Sequence, residues 1–249
     1  MIILNNIHVH FHHGTPLAKH VLRGIHLKIN QGEFITIIGG NGAGKSTLMN
    51  VLAGEAFPSQ GDIYFNQQNI TRWSACKRSC KIARLFQDPM QGTFAHLTIE
   101  ENLSLAVKRG KQRGLQRHIN PQLRQNFKSL LAPLKLQLEK RLHHKVGTLS
   151  GGQRQALSLI MATLQQTELL LLDEHTAALD PKTAQNIMLL SQQIIQERQM
   201  TALMITHSLS QALHFGDRTL VLSEGNIVED LYGSRRAQMQ PEVLMKYFV

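Results

Sequence analysis

Residues Gly39–Ser46 read Gly-Gly-Asn-Gly-Ala-Gly-Lys-Ser and fit the spacing G-x-x-x-x-G-K-[ST]. The short β-branched run Phe34–Ile38 precedes it, and a stretch from Lys45 to Ala53 that reads as a helix follows it. Strand, glycine-rich turn and helix, in that order, are the context this spacing requires. Small residues let successive backbone N–H groups curl around phosphate oxygens, and a helix N-terminus adds partial positive charge. Gly39, Gly40, Asn41, Gly42, Ala43 and Gly44 are therefore the expected cradle of a nucleotide's phosphates, continued by Lys45, Ser46 and Thr47. Lys45 reaches the β- and γ-phosphates, and the Ser46 hydroxyl is a ligand for Mg2+.

A second acidic site supports the first. Leu169–Leu172 is an aliphatic strand that runs into Asp173 and Glu174. A buried strand delivers such carboxylates to the carboxyl edge of the sheet, where ligands bind in open α/β folds. Asp173 is placed to orient Mg2+, and Glu174 could accept a proton from an attacking water. A strand that merely reaches solvent at Asp173 would read the same way; the phosphate loop tips the balance against it.

Around these sites the chain alternates strand and helix. Residues 1–9, 21–29, 34–38, 61–65, 82–86, 168–172, 201–206, 219–222 and 226–228 read as strands. Helices are expected from Lys45, from the capping box Thr98–Glu101, from Pro121, from Ser150, from Pro181 to about Arg198, from Ser208 to His214 and over about Gln240–Phe248. The alternation predicts an α/β fold with a largely parallel central sheet.

The charge is concentrated in one place. Between Lys108 and Lys145 lie eleven Lys or Arg, Arg113 and Arg117 among them, and one acid, Glu139; elsewhere 16 bases balance 16 acids. This basic stretch reads as helical to about His144 and interrupts the core as an inserted subdomain, with Pro133 ending or kinking a helix. It could face nucleic acid, anionic lipid or an acidic protein, or be a solvated surface. Phe127 alone is no aromatic run, which weakens single-strand binding. Other classes fall away. The longest unbroken run of Leu, Ile and Val is Leu169–Leu172, whereas a membrane span needs about 20 apolar residues. No signal peptide is read at the start, so a cytoplasmic protein is expected. Cys76 and Cys80 are too few for a disulfide framework, and the 13 histidines form no ligand set.

Leu149-Ser150-Gly151-Gly152-Gln153 lies 24 residues before Asp173. With the two sites above, it resembles the ATP-binding-cassette (ABC) family of ATPases. Gln87 is similar to the Q-loop glutamine of that family, Ala178-Leu179-Asp180 to its D-loop and His207 to its switch histidine. The six motifs fall in family order over about residues 34–223. The resemblance implies one ABC ATPase domain over 1–249: a P-loop NTPase core with an N-terminal antiparallel β-subdomain (1–87 and 149–249), and the basic helical insert at 88–148. It implies that two copies pack head to tail around two ATP molecules, each held between one copy's phosphate loop and the other's Leu149–Gln153. Glu174 is then the catalytic base, His207 contacts the γ-phosphate, Gln87 touches Mg2+, and Asp180 belongs to the ATP site. Phe11 is the candidate for stacking on adenine; an imidazole of the His12–His13 loop, or plain core packing of Phe11, are the alternatives.

The resemblance also implies partners: an integral membrane permease contacted by the insert and, in the importer branch, a separate substrate-binding protein. The chain would then sit at the cytoplasmic face of the inner membrane. Phe86–Pro89, Gly92–Thr93, Thr98–Leu103 and Asp173–Pro181 resemble one bacterial importer branch, some of whose members take up aromatic amino acids. Leu142–Thr148 lacks the Glu-Arg-Gly stretch typical of many exporters, which favours an importer over an exporter. His175 stands where many members have proline, and no catalytic group is missing. Only 61 residues separate Gln87 from Leu149, leaving no room for a coiled-coil DNA-repair module, and one cassette argues against a translation factor. No nucleic acid is expected.

Overall fold

The computed structural model describes residues 1–12, 14–111 and 119–247. His13, Arg113, Arg117 and Phe248 lie outside the described residues. Period-two alternation along Ile2–Phe11 (β1) and Lys19–Ile29 (β2), stepped by register shifts beside Asn6 and Gly24, buries Ile2, Leu4, Ile7 and Val9 on one strand and Leu22, Ile25, Leu27 and Ile29 on the other. They pair antiparallel from Ile2 opposite Ile29 to Phe11 opposite Lys19. The chain then leaves for a second sheet with Phe34–Gly39 (β3), followed by the helix Lys45–Ala53 (α1). It returns with Gln60–Phe65 (β4) and the two-residue Gln68–Asn69 (β5), so the first sheet runs β2-β1-β4-β5.

The second sheet runs β10-β9-β3-β8-β7-β6. Ile82–Leu85 (β6), Leu169–Asp173 (β7), Thr201–Ile205 (β8) and Arg218–Ser223 (β9) join β3 in one parallel array. Asn226–Tyr232 (β10) is antiparallel to β9 and closes one edge. β3 is buried at every position, and Leu169–Leu172 show no exposed surface. Unbroken apolar strands of this kind belong in a parallel sheet covered on both faces. This mixed α/β architecture agrees with the sequence reading.

Helices cover the sheets. Ala75–Arg78 (α2) is short. Ile99–Val107 (α3) starts at the Thr98–Glu101 capping box, and Pro121–Leu131 (α4) is capped by Asn120 Oδ1, which accepts from Leu123 N at 2.8 Å. Gly151–Thr163 (α5), Pro181–Glu197 (α6) and Leu209–His214 (α7) follow, then the short Gly233–Ala237 (α8) and Pro241–Leu244 (α9). Phe127, Leu131, Leu138, Leu142 and Val146 pack with Ile99, Leu103 and Leu157 into one apolar cluster.

Three expectations need amending. Past α4 the basic stretch breaks into 3-10 turns, because Lys135 and Gln137 take positive φ (56° and 58°) and interrupt the helix. The terminal helix begins only at Pro241 and gives way to a 3-10 turn at Met245, since extended Gln240 precedes the proline. β10 runs on to Tyr232 rather than stopping at Val228.

One buried cation ties α1 to the first sheet. Arg78 is 1% exposed, and among the described residues no carboxylate pairs with it. Its Nη1 donates to Val51 O (2.6 Å) and Leu52 O (2.9 Å) in the last turn of α1. Nη2 donates to Ile70 O (2.7 Å) and Thr71 O (3.0 Å), and Nε to Trp73 O (3.1 Å). A cation at a helix C-terminus satisfies orphan carbonyls and complements the helix dipole. Burial pushes the guanidinium down to about 10, which leaves it charged at neutral pH.

Candidate nucleotide-binding site

β3 delivers Gly39 against β9, where an added Cβ would lie 2.1 Å from Leu222 O; only glycine fits. Gly44 begins α1 with φ 102° and offers no side-chain cap, so the first-turn N–H groups stay open to a ligand. Lys45 is 6% exposed and folds back over the loop, its Nζ donating to Gly39 O (2.7 Å) and Gly40 O (3.0 Å). Burial lowers its pKa, against the pull of Glu174 and Asp173. Asn41, Gly42, Ala43, Ser46 and Thr47 line the same cleft.

Glu174 and His207 close that cleft from the sheet's carboxyl edge. β7 carries Asp173 out of the core, and the next residue turns with φ 46°, an unusual conformation for a side chain beyond glycine. Glu174 N donates to Ile205 O at 3.2 Å, which pins this turn to β8. His207, two residues past β8, places Nε2 2.6 Å from Glu174 Oε1. Phe11, 39% exposed at the end of β1, lines the cleft beside Lys19 and Val21.

Asp173 and Gln87 line a neighbouring cleft instead. There Arg84 Nη2 lies 2.5 Å from Asp173 Oδ2. Sequence reasoning missed Arg84; the signal was a charged residue inside an otherwise apolar strand, Ile-Ala-Arg-Leu. It also missed the role of Gln155, whose Nε2 donates to Phe86 O (3.2 Å) and His175 O (2.6 Å), joining the residues before Gln87 and after Glu174. His175 is 2% exposed, with Nε2 3.0 Å from Ser191 Oγ, and burial holds it down at about 4. It is a neutral packing group.

Leu149–Gln153 lies apart from both clefts. Ser150 caps α5: its Oγ accepts from Gln153 N (3.3 Å), and Gln153 Oε1 accepts from Ser150 N (3.1 Å). Leu149 is buried, while Ser150 and Gly151 are exposed. A Cβ on Gly152 would meet Thr183 Cγ2 at 2.2 Å, so glycine lets α5 approach α6 here. Asp180 is exposed and caps α6, its Oδ1 accepting from Thr183 N at 3.1 Å; hydrogen bonds from the Thr183 side chain and backbone hold its carboxyl below the usual range. The phosphate loop and Leu149–Gln153 thus lie at separate places on the chain.

Among the described residues, no group of three or more His, Cys, Asp or Glu could hold a metal ion, and no helix is long and apolar enough to cross a membrane. Cys76 and Cys80 are exposed free thiols.

Comparison with known proteins finds a family model described as ABC transporter over residues 22–177. A tyrosine transport ATP-binding protein of Clostridioides difficile (strain R20291) is 40% identical over 248 residues, covering 100% of this chain and 98% of the relative. A thiamine import ATP-binding protein of Photorhabdus laumondii is 36% identical over 216 residues, 87% of each chain. Among solved structures, an ATP-binding cassette in a dimeric post-hydrolysis state, bound to ADP and Pi, superposes with TM-score 0.78 at 29% identity, covering 93% of this chain and 98% of that one. A nucleotide-free cassette from an ABC transporter gives TM-score 0.80 at 26% identity, covering 100% and 99%.

Proposed function

The chain belongs to the ABC transporter family and is an ATP-binding, ATP-hydrolysing subunit; on that premise we propose that it works as a pair of identical subunits beneath an integral membrane permease and drives import of a small solute. The observation that carries the reading is the separation of the two half-sites. Loop 39–47, Glu174 and His207 share one cleft, while exposed Ser150 and Gly151 open a different helix. A helix start rich in backbone donors suits a γ-phosphate. It finds one when a second copy turns its phosphate loop toward it, and a two-fold, self-complementary pair satisfies both sites at once. The dimeric cassette among the solved relatives supports the arrangement.

In this reading Glu174 Oε2 or Oε1 takes a proton from the water that attacks the γ-phosphorus, the bond to the β–γ bridging oxygen breaks, and ADP leaves. His207 fixes the Glu174 carboxylate and contacts the γ-phosphate. Lys45 trades the carbonyls of Gly39 and Gly40 for phosphate oxygens. The hydroxyl of Ser46, the carboxylate of Asp173 and the amide of Gln87 are hard oxygen donors that suit Mg2+. The charges of Glu174 and Asp173 pull the Lys45 pKa up against its burial. Mg2+ there would neutralise charge on the phosphates. Phe11 stacks on the adenine.

A groove of about 900 Å3 between β6 and helices α3 and α5 exposes Phe94 (60%) beside Leu105 and Met161. It is the face offered to the permease. The full-length match to a tyrosine transport subunit supports an amino acid as cargo, delivered by a separate substrate-binding protein on the far side of the membrane. To test this, Glu174→Gln is captured with ATP from mild-detergent extracts of its native cells and its partners identified by mass spectrometry. A co-purified multi-span membrane protein supports the reading; ribosomal proteins or DNA in its place overturn it.

A further inference from the structure

We infer that Arg84 is a positioning residue that holds the Asp173 carboxylate in its cation-binding orientation and ties it to the end of the phosphate-loop helix. Its guanidinium sits between three acceptors, on β7, on α1 and on the turn just after α1. Nη2 reaches Asp173 Oδ2 at 2.5 Å at the end of β7. Nη1 reaches Asn50 Oδ1 at 2.7 Å within α1 and Glu55 Oε2 at 2.6 Å just beyond it. The Phe86 ring, next to Gln87, lies 4.9 Å from the guanidinium carbon. Arg84 is only 11% exposed in its side chain, and Asp173 15%.

Two features argue that this is more than a structural salt bridge. The guanidinium takes only one oxygen of Asp173, Oδ2, so that oxygen is anchored to Arg84 while Oδ1 keeps its acceptor capacity. The guanidinium also leaves its own Nε buried without a partner. A group that gives up one hydrogen bond to reach three distant acceptors is placed for those acceptors. β6 registers Arg84 against Leu171 and Leu85 against Leu172, which sets the arginine alongside the carboxyl end of β7. Glu55, Arg84 and Phe86 line the wide groove as well as the Asp173 cleft, so the same guanidinium forms a wall of both.

Partners that hydrogen-bond a metal-binding carboxylate commonly change metal affinity by about 10–100-fold when removed. The inference rests on the reading of Asp173 as a cation ligand, and the experiment separates the two. Mn2+ binding to the ATP-loaded protein is followed by electron paramagnetic resonance for wild type, Asp173→Asn, Arg84→Met and Arg84→Lys, each with its melting temperature. The expected result is a rise of about 10-fold or more in the half-saturating Mn2+ concentration for Arg84→Met. Arg84→Lys should recover part of that loss, and ATP affinity measured without divalent cation should be unchanged in both. If Asp173→Asn leaves Mn2+ binding intact, the ligand reading fails. If Asp173→Asn weakens it and a folded Arg84→Met does not, the positioning role alone is overturned. A Met variant too unstable to measure shifts the decision to Arg84→Lys, whose Mn2+ affinity must then fall between wild type and Asp173→Asn.

Discussion

His207 Nε2 stands 2.6 Å from Glu174 Oε1, across the carboxyl ends of the adjacent strands β7 and β8. The contact joins the two groups that the family resemblance implies as base and γ-phosphate contact. Glu174 reaches it through a positive-φ turn, so its backbone is held in an uncommon conformation at the residue proposed as the base. Glu174→Gln keeps the shape and the hydrogen bond and loses the base. Phosphate release should fall by about 100-fold or more while ATP binding persists. Undiminished turnover would move the base elsewhere.

Lys45→Met should separate binding from stability. The ammonium is buried and held below its usual pKa by that burial, so the folded chain bears a cost for it. Its return is a charged hydrogen bond to phosphate, about 1.5–3 kcal/mol, or a factor of about 10 to 150 in affinity. ATP should bind weaker by that factor, measured with a fluorescent nucleotide. The melting temperature should stay level or rise. A large drop in melting temperature would mean that the lysine's bonds to Gly39 and Gly40 hold the loop together.

What could be read in advance and what could not divide along physical lines. Gly39 and Gly152 were legible because each occupies a spot where a Cβ would strike Leu222 O or Thr183 Cγ2. Such constraints leave glycines at fixed spacing in the sequence. The apolar runs Phe34–Ile38 and Leu169–Leu172 were legible because strands buried on both faces need no polar alternation. Arg84 and Arg78 were not legible as partners, since their acceptors are brought together only by the folded sheets: Asp173 lies 89 positions from Arg84, and Val51 lies 27 from Arg78. The helical reading past α4 failed because Lys and Gln are good helix formers locally, yet Lys135 and Gln137 take left-handed turns so that Leu138 and Leu142 can enter the core.

His175 makes stability depend on pH. Buried and neutral, it titrates at about 4 in the folded chain against 6.5 for the ordinary side chain. The unfolded chain therefore takes up the proton first. Stability is fully present above about pH 6.5 and is lost as pH falls toward 4. Between pH 7 and pH 5 the loss from this residue should be about 2 kcal/mol. His20 is also held below its ordinary value, by burial and then by His10 and His8, and contributes in the same sense. Comparison of urea unfolding at the two pH values with that of His175→Gln isolates the residue: the variant should lose less between pH 7 and 5. An equal loss in both proteins would assign the pH dependence to other groups.

Arg78 offers the largest stability effect away from the nucleotide cleft. Its five donor contacts end on backbone carbonyls of α1 and of the segment Ile70–Trp73, and among the described residues no carboxylate is stranded by its removal. Arg78→Met takes a donor from each of those carbonyls in a site that is 1% exposed, although Val51 O and Ile70 O keep the backbone donors Gly54 N and Trp73 N. A buried group left unpaired costs about 1–3 kcal/mol, and several together are not additive. A loss of about 3–5 kcal/mol is expected, read as a shift of the urea midpoint at constant slope. Arg78→Lys keeps the charge but not the fork, so it should fall between the two. Because Lys45 sits at the opposite end of the same helix, ATP affinity of the folded Met variant should change little if α1 holds its place. A stability within about 1 kcal/mol of wild type would mean that water or a shift of Trp73 satisfies the carbonyls without the arginine.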